Sequence, residues 1–181
     1  MILSEADARL FYELWFPLLD YVNEKFHVND SLGKIHGAKS SDPNDIKKVA
    51  DKLWENAAVI DEYLSVCDDL TEEHRAIISG WKRCISCNFF LERHLKKGSI
   101  FISIPDEEVY QVSGIISSWE EIFWYRDPPI LMTATLIPFK NVIISDGLVI
   151  PANVVFGSNY KSDLKDIYLS AKKVGKIHRT L

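Results

Sequence analysis

Residues 98–105 have the sequence Gly-Ser-Ile-Phe-Ile-Ser-Ile-Pro, and they decide the fold class of this chain. The run Ile100–Ile104 is short and apolar, and Pro105 stops it, which predicts a strand. Before Gly98, apolar residues recur at helical spacing. After it, short apolar runs are separated by turn residues. Because helices come first and strands follow, the sequence predicts an α+β fold.

The first 97 residues predict three helices separated by loops. The first is expected to kink at Pro17, whose ring removes a hydrogen bond and clashes with the preceding turn. Residues 27–41 are rich in Gly, Ser and Asn and predict a loop. Asp42 begins the second helix as its cap, and the apolar stripe of that helix runs from Ile46 to Cys67. Thr71 begins a third helix that is expected to run on to Gly98.

The remaining residues predict a sheet and one more helix. Strands are expected at 100–104, 109–116, 130–137, 142–145, 148–150 and 154–156, with a short helix at 119–124. A last helix is expected to end at Gly175, and its apolar face comprises Leu164, Ile167, Tyr168 and Ala171. The predicted whole is one domain over 1–181. Residues 1–97 are expected to form an N-terminal helical bundle packed on an antiparallel β-sheet of about four to six strands, and residues 98–181 supply the sheet and a C-terminal helix.

Charge and cysteine usage limit the class of protein. The net charge of −5 argues against non-specific binding of nucleic acid by the whole surface. Two basic segments nevertheless stand out, residues 71–98 and 161–181, which form either one patch or two solvated faces. Three cysteines without a signal peptide predict a reducing cytoplasm, and no segment has the length of a membrane span.

Cys84 and Cys87 form a Cys-x-x-Cys pair that completes no known site in the sequence. Zinc requires about four ligands, so His27, His36, His74 or Cys67 would have to be brought in by the fold. A thioredoxin-like pair lies at a helix N-terminus, whereas this pair is predicted in mid-helix. We therefore interpret both as core cysteines and predict no metal and no cofactor, with metal binding and redox chemistry as alternatives.

The basic residues near position 95 are the strongest candidates for binding. Arg93, His94 and Lys97 are predicted at a helix C-terminus, where the helix dipole alone explains them. The functional interpretation is a site for an anion, joined by Lys140. The sequence offers no nucleophile motif and no phosphate-binding loop, so we expect a non-enzymatic binding or adaptor module with a protein or a small anionic ligand as partner.

Two alternatives remain open at this point. The first is an enzyme acting on a phosphorylated or nucleotide-like substrate, with His94 and Asp146 as acid and base, which requires the two side chains to converge. The second is a homodimer that pairs its helices through Trp15 and Trp54. Both tryptophans also fit an ordinary core.

A set of motifs over residues 81–175 resembles an uncharacterised bacterial protein family. They are Arg93-His94-Leu95-Lys96-Lys97, then Thr135-Leu136-Ile137-Pro138-Phe139-Lys140, then Asp146-Gly147. Some relatives carry a C-terminal cysteine-rich metal tail of the SEC-C type, which this sequence lacks, so the tail's metal function does not carry over. The resemblance implies no established activity. It does place Arg93, His94, Lys97, Lys140 and Asp146 in the matching motifs as ligand-binding candidates.

Overall fold

The computed structural model describes residues 1–35 and 42–181, and it has the predicted α+β fold. The chain divides into two compact units. One is helical and comprises Glu5–Lys82, and the other contains the sheet and comprises Met1–Ser4 with Arg83–Leu181. The boundary between helices and strands thus lies near residue 83, and not at 97 as the sequence predicted.

The helical unit contains α1 (Glu5–Phe26), α2 (Pro43–Glu55), α3 (Val59–Val66) and α4 (Glu72–Gly80), and a 3₁₀ turn begins at Trp81. The predicted caps are confirmed. An Asp42 carboxylate oxygen accepts the Asn44 N–H at 2.8 Å, and the Thr71 hydroxyl accepts the His74 N–H at 3.2 Å. These side chains satisfy backbone donors that a helix N-terminus leaves unpaired.

Aromatic side chains form much of the core of this unit. Trp15 is fully buried, stacks on Trp54 at 5.4 Å between ring centroids and meets Trp81 edge-on at 5.6 Å. Aromatic pairs in such geometries add about 1 kcal/mol each to the burial of their apolar area. Because Trp15 belongs to this core, it is not available for the helix pairing considered as a dimer contact.

One helix prediction in this unit needs correction. The predicted helix over residues 42–67 is two helices, because residues 56–58 form a turn between α2 and α3. The first helix, α1, continues through Pro17 as one element. Residues 27–35 form turns and bends, as the loop prediction requires, while 36–41 lie outside the described residues.

The sheet unit contains seven strands in the described segments of the chain. They are β1 (Ile85–Leu95), β2 (Gly98–Ser103), β3 (Val109–Val112), β4 (Ile130–Phe139), β5 (Val142–Ser145), β6 (Ile150–Pro151) and β7 (Ile177–His178). Two helices accompany them, α5 (Trp119–Ile122) and α6 (Ser158–Lys173). The predicted strand at 154–156 is wrong, since those residues carry no regular structure.

Strand β1 replaces the second half of the predicted third helix. Its early residues pair with β4, as in Ile85 with Leu136, and its late residues pair with β2, as in His94 with Ser99. A bulge between Leu91 and Arg93 lies where β1 shifts register against β2. The helical prediction failed because Phe89 and Leu91 also alternate at strand spacing, and pairing on both edges buries them completely.

The mostly antiparallel strands close into a barrel, a closure that the sequence did not predict. Their order is β1-β2-β3-β5-β4, and β4 pairs again with β1. Neighbouring strands in the sheet run antiparallel, except that β3 runs parallel to β5 and to β7. This order, with a helix between β3 and β4, is the arrangement of an OB-fold barrel. Closure leaves the five barrel strands without a long free edge.

Two apolar clusters hold the sheet unit together. The barrel interior is filled from every strand of the closed sheet and from α5, with Phe89, Phe101, Tyr110 and Trp119 as its largest side chains. The outer face of β1, β2 and β3 is covered by α6, which contributes Leu164 and Tyr168 to the second cluster. The face of α6 predicted from the sequence is therefore confirmed at those residues.

Candidate functional site

The predicted basic residues lie at the β1–β2 hairpin, and not at a helix C-terminus. Arg93 and His94 belong to the end of β1, and Lys96 and Lys97 form a two-residue turn before Gly98. Gly98 has a φ of +128°, a backbone conformation that L side chains rarely adopt. The dipole explanation for these bases is consequently wrong, because no helix ends here.

Arg93 is held by interactions within its own unit. Its guanidinium forms an ion pair with Glu92, including an Nη2–Oε1 hydrogen bond of 2.7 Å. The same group lies 4.2 Å from the centroid of the Tyr168 ring on α6, a cation–π contact. The hydrogen bond with Glu92 raises the pKa of Arg93. The charge of Arg93 is therefore already neutralised, which weakens it as an anion-binding residue.

His94 is half-buried and bonded to a serine. Its Nδ1 lies 2.9 Å from the Ser99 hydroxyl oxygen. Burial lowers the pKa of His94 below its ordinary value, and the Glu120 carboxylate opposes this shift to some extent. The imidazole is accordingly neutral at pH 7 and supplies no positive charge for an anion.

Lysines lie at two turns of the barrel, and these turns extend in opposite directions from the level of Val112 on β3, because β2 runs antiparallel to β3 and β5 runs parallel to it. Val112 on β3 pairs with Ser99, two residues after Lys97, and with Ile143, three residues after Lys140. Lys96 and Lys97 are exposed in the β1–β2 turn, and Lys140 is exposed in the β4–β5 turn. The Gln111 amide fixes the first turn by donating to the Lys97 carbonyl at 2.6 Å.

Asp146 is buried at a different place in the barrel. It is 2% exposed, its N–H donates to the Thr135 carbonyl at 3.1 Å, and its Oδ1 accepts the Leu148 N–H at 3.0 Å. Thr135 pairs with Ser86, near the start of β1, whereas His94 lies near the end of that strand. The fold thus gives Asp146 a turn-forming role and does not bring it together with His94 as an acid–base pair.

The two cysteines of the Cys-x-x-Cys pair are not on a helix, because Cys84 precedes β1 and Cys87 lies within it. Burial raises the pKa of the Cys84 thiol and raises that of Cys87 to about 11. A nucleophilic or redox thiol needs the opposite shift. These directions support the interpretation of both as packing residues.

One cleft in the sheet unit was not predicted from the sequence. It has a volume of about 650 Å³ and lies between the β2–β3 turn and α6. Carboxylates of Asp106, Glu107, Glu108, Asp163 and Asp166 line it. Only tertiary packing brings Glu107 and Glu108 beside Asp163 and Asp166, which are three residues apart on α6 and so share one helix face.

Two further features of the described residues concern metal ligands and membrane-spanning helices. Across 1–35 and 42–181, no group of three or more His, Cys, Asp or Glu side chains is arranged to hold a metal ion. His36, one of the zinc candidates, lies outside the described residues. None of the helices that the structure describes combines the length and apolarity needed to cross a bilayer.

Comparison with known proteins adds no assignment, since no family model, no curated protein and no solved structure matches the chain.

Proposed function

We propose that this protein is a non-catalytic binding module that recognises an extended anionic ligand through the lysines of two barrel turns. The observation that carries the proposal is the exposure of these lysines on the two sides of β3, with Lys97 before β2 and Lys140 before β5. Lys96 adds a third exposed ammonium group. The two turns extend in opposite directions from the level of Val112, so a ligand that contacts both must be extended across β3. Exposed cations raise the local concentration and association rate of a polyanion.

The barrel topology gives secondary support. In OB-fold proteins the β2–β3 face and the turns after β1 and β4 bind oligonucleotides and oligosaccharides. In this chain α6 covers much of that face, so the turns are what remains for a ligand. Because one fold hosts many unrelated functions, the exposed lysines carry the proposal and the barrel topology only supports it.

The ligand chemistry is a row of negative charges, either carboxylates of an acidic protein segment or phosphates. A partner protein in the cytoplasm belongs to this proposal, and the three free thiols support that compartment. Membership in the uncharacterised bacterial family remains a prediction. The enzyme alternative loses its main support because His94 and Asp146 lie near opposite ends of β1.

Fluorescence anisotropy with two labelled probes, a deca-glutamate peptide and the oligonucleotide dT10, tests the proposal. We expect at least one probe to bind, and binding to weaken at least tenfold when three turn lysines become glutamine: Lys96, Lys97 and Lys140. The probe that binds more tightly at equal salt identifies the source of the anion. Failure of both probes to bind at low salt contradicts the proposal.

A charge-matched variant separates the site from general electrostatics. It replaces three lysines of the helical unit by glutamine: Lys34, Lys48 and Lys82. We expect less than a twofold change, because these residues belong to a different unit. Equal losses in both variants would show that net charge alone drives binding.

A further inference from the structure

The acidic cleft of the sheet unit has an apolar floor. Its apolar lining residues are Val109 of β3, Ile167 and Ala171 of α6, and Val174 directly after α6. A smaller cavity of about 200 Å³ shares Glu107, Asp163 and Ile167 with it. That cavity extends the apolar surface with further side chains, among them Phe90, Ile102, Ile104 and Tyr160. We call the two cavities together the acidic groove.

The carboxylates of the acidic groove are poorly compensated within the chain. Glu108 pairs with His178 at 2.8 Å, and among the described residues that line the larger cavity Lys176 is the one basic side chain. Among the described residues, no salt bridge engages Glu107, Asp163 or Asp166. Like charges gathered beside an apolar surface oppose one another, and a cationic ligand relieves that repulsion.

The shape of the groove indicates a peptide and not a single ion. The lining follows α6 from Asp163 to its C-cap Val174, a distance of about 16 Å at the helical rise. That length accommodates about five residues of an extended peptide. An extended chain projects alternate side chains to opposite sides, so basic residues can face the carboxylates while apolar ones face the floor.

We propose that the acidic groove binds a short basic amphipathic segment of a partner protein, with alternating Lys or Arg and apolar residues. Charge complementarity with five carboxylates and the apolar floor together select this occupant. None of the turn lysines lines the groove, so this inference is independent of the anion-binding function. The protein then presents two surfaces of opposite charge, which is what an adaptor that joins two partners requires.

Fluorescence anisotropy with three labelled pentapeptides tests this inference on the full chain: Lys-Leu-Lys-Leu-Lys, pentalysine and Glu-Leu-Glu-Leu-Glu. We expect the alternating basic peptide to bind, pentalysine to bind at least fivefold more weakly because it lacks the apolar contacts, and the acidic peptide not to bind. Equal binding of the two basic peptides overturns the role of the floor. No binding of the alternating basic peptide at millimolar concentration overturns the proposal.

Variants locate the peptide on the protein. Asp163→Asn with Asp166→Asn keeps the shape of two exposed side chains and removes their charge, and we expect at least a tenfold loss of affinity. The matched control, Asp68→Asn with Asp69→Asn in the helical unit, should change affinity less than twofold. Equal losses in the two variants overturn the assignment to the groove.

A third variant acts through shape and not through charge. Ala171→Trp fills the floor of the larger cavity, and we expect it to reduce binding of the alternating basic peptide at least fivefold while leaving the circular dichroism spectrum unchanged. Unchanged affinity in a folded Ala171→Trp protein shows that the peptide binds elsewhere and overturns the inference.

Discussion

Gly98 offers a direct test of the hairpin that replaces the predicted helix end. Its φ of +128° falls in a region that is essentially restricted to glycine, and a Cβ added there would lie 2.9 Å from the Val112 carbonyl oxygen. That oxygen belongs to the backbone of a neighbouring strand and cannot move without disturbing the barrel. A helix-ending glycine would instead have a φ near +60° and open space around it.

We expect Gly98→Ala to destabilise the sheet unit by about 3 kcal/mol, at the upper end of the range for strained backbone conformations, because the steric contact adds to the conformational cost. Gly175 provides the matched control. It follows α6 with a φ of +72° and has no atom within 4 Å of its added Cβ, so Gly175→Ala should cost only about 1 kcal/mol.

Hydrogen exchange followed by mass spectrometry measures this effect within the sheet unit alone. For peptides covering β1 and β2, a loss of 3 kcal/mol raises the exchange rate of amides that open by global unfolding about 150-fold. Gly175→Ala should raise the same rates about fivefold. If Gly98→Ala has no greater effect than Gly175→Ala, the hairpin geometry at Gly98 is wrong and our account of β1 fails with it.

Three further predictions concern side chains of the barrel. Arg93→Ala should lower the unfolding free energy by about 2 kcal/mol in urea denaturation, because the Tyr168 ring loses its cation and the Glu92 side chain, which is 7% exposed, keeps an unpaired charge. The double variant Arg93→Ala with Glu92→Gln should recover some of that loss, and no recovery would contradict this assignment. Cys87 should react with iodoacetamide at pH 8 far more slowly in the folded than in the urea-unfolded protein, because a pKa of about 11 leaves about one thiol in a thousand ionised. Equal reaction rates in peptide mapping would refute this prediction. The pKa of His94, measured by NMR, should lie below 6.5. Below pH 6.5 the unfolded chain therefore binds more protons than the folded chain, so the unfolding free energy should fall as the pH drops towards the folded-state pKa. A His94→Gln protein with the same pH dependence would exclude this residue as the cause.

Local sequence signals predicted the helical elements that depend only on their own residues. The cap at Asp42, the cap at Thr71 and the stop at Gly175 each involve hydrogen bonds or backbone conformations within a few residues. The apolar spacing of α6 likewise predicted Leu164 and Tyr168 as its buried face. Such features are determined by the nearby sequence, and tertiary packing did not change them.

The candidate site was predicted less well, because its geometry depends on strand pairing. The sequence identified Lys97 and Lys140 as candidates but could not show that they precede the two strands that pair with β3 on either side. It grouped Arg93 with them, although Tyr168, 75 positions further along the chain, covers its guanidinium. The acidic groove gave no signal, since its carboxylates come from two segments that are distant in sequence.

The sequence by itself determined the α+β class, the ends of several helices and the strands at 100–104 and 142–145, because each depends on local periodicity and on residues that end an element. Tertiary structure decided whether residues 85–95 form a helix or a strand, because their apolar spacing fits both and only pairing with β2 and β4 buries Phe89 and Leu91. It also decided the closure of the barrel, which requires contacts between β1 and β4 across about 45 residues of chain. Local propensity cannot encode such contacts, since their stabilisation appears only once distant segments meet.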